Sequence, residues 1–350
     1  MSNDQKPVLY EFVGSTWANV PKIAIEEAGF KEGDFEYKSI NLAEGENFNP
    51  EYLKLNPNGT VPTLVSKGET YVDSTVSGRA LWALQGCRLT HRFPRPLSIL
   101  AVPHPSCPLF QRSFPTIFLL PMPSPNAMIS PPRRAMPFTR QTVVPAILKL
   151  APHPPRVSAH TSTSIIEEIH AAAHDSNATF LMSIDDEDRQ SKIKGGQKDF
   201  LQGRQNALDK YAPDAPEEFK TFLAKKQAGN KSLLEFYTQE PDAAAKSAHY
   251  EQTAELWKSV GIVIRGVITQ ALTKNGGPYA AGEQPSEVDF HIITWLARTI
   301  SNTGVEQGAS AAEALPVLQK RTGGHGFDPV LGKYWDAWTQ RESYKKIKLH

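Results

Sequence analysis

The chain has 350 residues, with 38 basic and 37 acidic side chains, a net charge of +1, 28 prolines and two cysteines. This balance offers no clustered basic face of the kind nucleic-acid binding needs, and the cysteine count excludes a disulfide framework. The opening stretch MSNDQKPVLYEF lacks a basic segment followed by an apolar core, so no secretory signal is expected, and Pro and Arg112 interrupt every apolar run around residues 97–120, which argues against a membrane helix.

Residues 8–13, VLYEFV, read as a short buried strand. WANVPKIAIEEAG then brings Val20, Ile23 and Ala24 to helical spacing, with Ser15 or Thr16 as the leading cap and Gly29 as the stop. Pro21 suits only a first turn, which predicts a start near Thr16. Residues 35–40, FEYKSI, read as a second strand, 49–55 as a short helix and NPNG at 56–59 as a turn. TVPTLV and ETYV read as a hairpin closed by Ser66, Lys67 and Gly68. The order is β-α-β-α-β-β, and such a small sheet needs a covering helix next; Asp73-Ser74-Thr75 is a reasonable start for one.

The text that follows is not helical. Residues 74–166 hold no Asp or Glu, 16 of the 28 prolines, both cysteines (Cys87 and Cys107), nine arginines and one lysine. At about one acid per ten residues, a gap of that length arises by chance on the order of once in 10⁴ to 10⁵ windows. The window carries +10, and the remainder, with 28 bases and 37 acids, carries −9. HRFPRP, PMPSP and APHPPR all break helices. The composition predicts a Pro/Arg-rich disordered insert over residues 76–163, as a genuine insertion or as a retained intron in the gene model; joining YVDST to SIIEEIHAAA restores an uninterrupted pattern and favours the intron. Its arginines lack the regular spacing of a polyanion site.

Periodicity returns at STSIIEEIHAAAH. Ser164 and Glu167 suit a capping box, Ile165, Ile166 and Ile169 form an apolar stripe, and residues 164–185 are expected to supply the missing helix and a linker. From about residue 191, amphipathic segments at 198–211, 217–227, 244–272, 286–301, 311–321 and 331–347 alternate with Pro, Gly and Asn, and 186–350 reads as an all-α domain.

The stretch LKLNPNGTVPTLV carries the most information. Pro62 cannot donate into a ladder, so it belongs at a strand's first residue or edge, with the Val61–Pro62 bond either cis or trans. NPNGTVPTL, then VDS at the end of the next strand, then Ser286-x-x-Asp289 as a capping box preceded by Gly282, resemble the glutathione transferase superfamily. The resemblance covers residues 8–75 and roughly 164–340. It implies an α/β plus all-α protein: a thioredoxin-like glutathione-binding domain in two parts, interrupted by the insert, and an all-α C-terminal domain. The nearest members in feel are serine-type, among fungal, theta- or lyase-like soluble transferases.

The resemblance also implies a mechanism. A free glutathione thiol has a pKa of about 8.5, so little of it is thiolate at neutral pH. Lowering it by two units takes about 2.7 kcal/mol of preferential stabilisation of the thiolate. One hydroxyl donor supplies roughly 1.5–3 kcal/mol and a helix N-terminus about 0.3–2. Ser15, seven residues before Lys22-Ile23-Ala24, is the implied hydroxyl, with Thr16 as the alternative; both also suit a plain helix cap. Val61, beside Pro62, would pair with the cysteinyl backbone of glutathione. Asp73 would meet its γ-glutamyl ammonium, and Ser74 the carboxylate, although the pair also reads as an ordinary cap. Thr60 stands where the family commonly has a basic residue, which removes one contact to the glycyl carboxylate.

The implied function is conjugation of glutathione, as co-substrate, to small hydrophobic electrophiles, or glutathione-dependent lyase or etherase chemistry, in the cytoplasm. A homodimer is the family habit; no metal, nucleic acid or membrane is expected. The alternatives are a non-catalytic binding protein of the same fold and an inactive product of a mis-spliced gene. His170 and His174 read as surface histidines rather than a zinc pair, and GGHGFDP at 323–329 as a loop. Trp257, Trp295, Trp335 and Trp338 read as mostly core, with some free to line an electrophile pocket.

Overall fold

The computed structural model describes residues 6–74 and 159–347, and side chains from residue 164 in the second stretch. The insert expected at 76–163 lies outside the described residues apart from its last five positions, which have helical backbone.

The N-terminal unit is a four-stranded mixed sheet with helices. Strand β1 (Val8–Glu11) pairs in parallel with β2 (Glu36–Ser39), which requires a crossover, and helix α1 (Asn19–Glu27) supplies it. Helix α2 (Pro50–Leu55) leads into β3 (Thr63–Ser66), antiparallel to β1, and a tight turn returns the chain as β4 (Glu69–Val72). The strand order is β2-β1-β3-β4, a thioredoxin-like arrangement. The turn needs left-handed backbone at Lys67 and Gly68, and only the second residue is a glycine.

Helix α1 starts at Asn19 and not near Thr16, because residues 16–18 form a separate turn. Pro21 still falls in the first helical turn, where its missing N–H costs nothing. Asn49 caps α2 by accepting from the Glu51 N–H at 3.0 Å.

Helix α3 (Ala159–Ile169) is the covering helix. It begins five residues ahead of Ser164, which therefore lies within the helix and not at its N-cap, contrary to the expected capping box. Its stripe is as expected: Ile165, Ile166 and Ile169 are buried in one cluster with Leu9 of β1, Val20 and Ile23 of α1 and Leu64 of β3. Each such side chain taken from water contributes about 1.5–3 kcal/mol.

The C-terminal part is helical throughout. Helix α4 (Ser176–Leu181) appears where linker is expected, and α5 (Asp186–Lys194) opens the part expected to be all-α. Each is short but capped, by Asp175 and Asp185 accepting N–H groups of Asn177 and Asp188. Helices α6 (Gln197–Tyr211) and α7 (Glu217–Thr238) pack as a hairpin, α7 running well beyond the expected residue 227. Helix α8 (Ala243–Val263) continues through a π turn at Ile264–Ile268 into α9 (Thr269–Lys274).

Helix α10 (Glu287–Ser301) is the axis of this half, buried from Val288 to Ile300. Its capping box forms as expected. Asp289 accepts from the Ser286 N–H at 2.9 Å, the Ser286 hydroxyl at 2.8 Å and the Ala280 N–H at 2.8 Å. Burial pushes the Asp289 carboxyl up to about 6 against the downward pull of these donors. Helices α11 (Ala311–Arg321), α12 (Pro329–Thr339) and α13 (Glu342–Ile347) complete the chain; the last two are one segment in the sequence pattern. All four tryptophans named above are buried, and they join the same core as the sheet.

Candidate functional site at the end of the sheet

The register brings the candidate residues to one end of the sheet. Tyr10 of β1 stands opposite Thr63 of β3, and Thr63 opposite Val72 of β4. Just beyond that row lie the turn after β1, with Ser15 and Thr16, the entry to β3, with Val61 and Pro62, and the exit of β4, with Asp73 and Ser74. The contact is direct in one place: Ala18, at the foot of α1, packs with Val61 and Tyr52 in a buried cluster.

The β3 entry is fixed by its own motif. Asn56, fully buried, donates through Nδ2 to the Thr60 carbonyl at 2.8 Å and to the Thr63 hydroxyl at 2.9 Å, and its Oδ1 accepts from the Asn58 N–H at 3.0 Å. The Tyr52 hydroxyl donates to the same Thr60 carbonyl at 2.7 Å. Burial pushes the Tyr52 phenol up to about 12, so it stays a donor. Gly59 adopts left-handed backbone, and a Cβ there would crowd the Asn47 carbonyl oxygen at 3.0 Å. The Val61–Pro62 bond is cis.

The two hydroxyls after β1 are used differently. Ser15 Oγ accepts the Ala18 N–H at 3.3 Å, and the Ser15 N–H donates to the Phe12 carbonyl at 2.9 Å. Ser15 is thus the cap of the turn ahead of α1, and its hydroxyl proton remains available to donate. Thr16 is 1% exposed, against 8% for Ser15, and its Oγ1 accepts from Arg298 Nε at 3.2 Å. Arg298 also donates to the Gly14 carbonyl. Lys22 ion-pairs with Glu11 at 3.3 Å.

At the β4 exit, Asp73 holds φ at +98°, an unusual value for a residue with a side chain. The buried Ser74 donates its hydroxyl to Asp73 Oδ1 at 3.3 Å and already has helical backbone.

The histidines are a correction. His170 and His174 are not surface groups. His170 is half-buried, stacks on Trp17 with ring centroids 3.6 Å apart and shares a hydrogen bond with His291 of α10 at 2.9 Å. Burial lowers its pKa to about 4, against the upward pull of Asp73. His174 is buried and bonded to Ser259 at 3.3 Å. Among the described residues no group of three or more His, Cys, Asp or Glu could hold a metal ion, and no helix is long and apolar enough to cross a membrane.

Sequence reading missed Arg298, Trp17 and His291. The available signal at Arg298 is a charged side chain within the apolar run IITWLARTI.

Residues 7–77 match the family model described as glutathione S-transferase, N-terminal domain. Residues 7–77 are thus similar to the N-terminal domain of glutathione S-transferases. The chain is similar to glutathione S-transferase 1 of Dianthus caryophyllus, 45% identical over 73 residues, which are 21% of this chain and 32% of that protein. The zeta-class glutathione S-transferase of Euphorbia esula is 40% identical over 72 residues, 21% of this chain and 31% of that protein. The chain thus spans about a third of the length of the curated relatives it matches. Among solved structures, glutathione transferase F2 of Populus trichocarpa is similar at 12% identity and a TM-score of 0.45, over 97% of this chain and 96% of that one. Ser15, Thr16, Val61, Pro62, Asp73 and Ser74 all fall inside the segment matched by the family model, whereas His170, His291 and Arg298 fall outside it.

Proposed function

We propose that this chain binds glutathione at the end of the sheet and, through Ser15, uses its thiolate to attack small hydrophobic electrophiles. The observation that carries this reading is the convergence of the Ser15 turn, the Val61–Pro62 entry and the Asp73–Ser74 exit beyond the row Tyr10, Thr63, Val72. Val61 pairs with the cysteinyl backbone, Pro62 fixes the strand entry beside it, Asp73 meets the γ-glutamyl ammonium, and Ser74 meets its carboxylate. The Ser15 hydroxyl donates to the sulfur while its oxygen accepts from the Ala18 N–H. Ser15 is favoured over Thr16 because Thr16 is enclosed against Arg298.

The thiol proton leaves to solvent on binding. The thiolate then forms a bond to the electrophilic carbon, and the leaving group, a halide or an ether oxygen, departs with the bonding pair. Transferase and etherase chemistry share this step. The location that suits it is a reducing cytoplasm, and a homodimer is the proposed assembly.

Turnover of a chloronitrobenzene-type electrophile tests the assignment. Ser15→Ala is expected to lower kcat/KM by about 10- to 100-fold, the worth of one charge-assisted hydrogen bond. Unchanged turnover would make Ser15 a cap and nothing more.

We further infer that residues 76–163 come from a retained intron. Two observations favour this: the family match stops at residue 77, and the isoleucines of α3 complete the core of a sheet that lies on the other side of the acid-free stretch in the sequence. Transcript sequencing decides the matter, and a message that keeps codons 76–163 at full abundance contradicts it.

A further inference from the structure

We propose that Arg298 is the positioning residue of the Ser15 turn and that its buried charge draws a bound thiolate to that turn. This rests on the Ser15 reading given above.

The guanidinium comes from the last turn of α10, in the helical half, and acts on a loop 282 residues away in sequence. Nη2 donates to the carbonyl oxygen of Gly14, and Nε donates to Thr16 Oγ1 at 3.2 Å. These two acceptors are the residues immediately before and after Ser15. One planar, rigid fork therefore holds the backbone on one side of the serine and a side chain on the other. The Phe180 ring of α4, 5.3 Å from Arg298 Cζ, adds a cation–π contact.

The charge is the second part. Arg298 is only 9% exposed, and its contacts are a carbonyl, a hydroxyl and an aromatic ring. All are neutral, and among the described residues no carboxylate forms an ion pair with it. The acids on the surrounding elements are engaged elsewhere. Glu11 pairs with Lys22, Asp175 at the head of α4 holds Asn177, Asp289 holds Ser286 and Ala280, and Asp73 accepts from Ser74. His291, two turns back on α10, is bonded to His170. A guanidinium cannot shed its proton, so it stays charged in a poorly solvated place whose partners among the described residues are neutral. Such a site gains from an anion arriving nearby, and the Ser15 turn is where the sulfur would arrive. A cation within a few ångströms of a thiol lowers its pKa by about one to three units.

Positioning and charge separate by substitution in the full-length chain. Arg298→Met and Arg298→Gln both remove the charge, and the second retains an amide donor for Gly14 or Thr16. Arg298→Lys keeps the charge and loses the fork. The readout is the ultraviolet band of the thiolate of bound glutathione, titrated against pH, with occupancy checked by calorimetry and folding by circular dichroism. The expected result is a wild-type midpoint below that of free glutathione, raised by about one unit in the neutral variants and at least half restored in Arg298→Lys. If Arg298→Met does not fold, Arg298→Gln carries the same prediction. A lowered wild-type midpoint that a folded, glutathione-binding neutral variant leaves in place overturns the role of Arg298 alone. A wild-type midpoint equal to that of free glutathione overturns this role and the Ser15 reading together.

Discussion

Ser15 and Thr16 show how much one residue's neighbours decide. Both are hydroxyls in the same turn, yet one caps the approach to α1 and the other is enclosed against the guanidinium of a distant helix. Asn56 is a third case. It ties the NPNG turn to the strand entry through Thr60 and Thr63, and Asn56→Ala takes the side-chain partner from the Asn58 N–H and leaves only Tyr52, of the two side chains, holding Thr60 and Thr63. The expected cost is about 2 kcal/mol in urea unfolding, together with weaker glutathione binding. His170 gives a pH dependence. Its folded pKa of about 4 lies below the ordinary 6.5, as does that of His249, which burial also lowers to about 4. Such groups favour the folded state above pH 6.5 and withdraw that support as pH falls from about 6.5 to 4. Thermal unfolding should therefore move to lower temperature across that window, and less steeply in a His249→Gln variant; a flat profile would contradict the burial of both. Asn56 is legible in the sequence because its partners lie within seven residues of it. Arg298 and His291 are not, because their partners are 282 and 121 residues away: the apolar run around Arg298 marks a charge out of place but not what it holds.

At the scale of elements, the legible features are those with a local cause. The hairpin of β3 and β4, the NPNG turn and the Ser286-x-x-Asp289 box are all formed where the sequence puts them. The misplaced boundaries have causes distant in the sequence. Helix α3 starts upstream of its best cap, since burial of Ile165, Ile166 and Ile169 and not the cap decides where it stands. The last helix divides at Gln340–Arg341, where Arg341 turns to reach Glu27 on α1 through Nε at 2.8 Å and Tyr279 through Nη1 at 2.9 Å. The box on α10 has a measurable worth. Ser286→Ala should cost about 1 kcal/mol, and Asp289→Ala about 2–4, because the carboxylate is fully buried and satisfies donors at both Ser286 and Ala280. Equal costs in urea unfolding would mean that the Ala280 bond contributes nothing.

At the scale of the whole molecule, the sheet and the helical half share one core, and the end of the sheet is held from both sides of it. Arg298 grips the turn before α1, and Arg341 with Ser343 grips Glu27 in its last turn. Helix α1 is thus fastened at both ends to the C-terminal part, so the Ser15 turn should lose its geometry if either fastening is cut. Calorimetric titration of the full chain with glutathione decides whether the converged strand ends form a site in solution. One saturable site is expected, weakened about tenfold or more in Asp73→Asn, which removes the charge facing the γ-glutamyl ammonium while tolerating the left-handed backbone. No saturable binding, or the same affinity in the Asn variant, would contradict the placement of glutathione at Asp73.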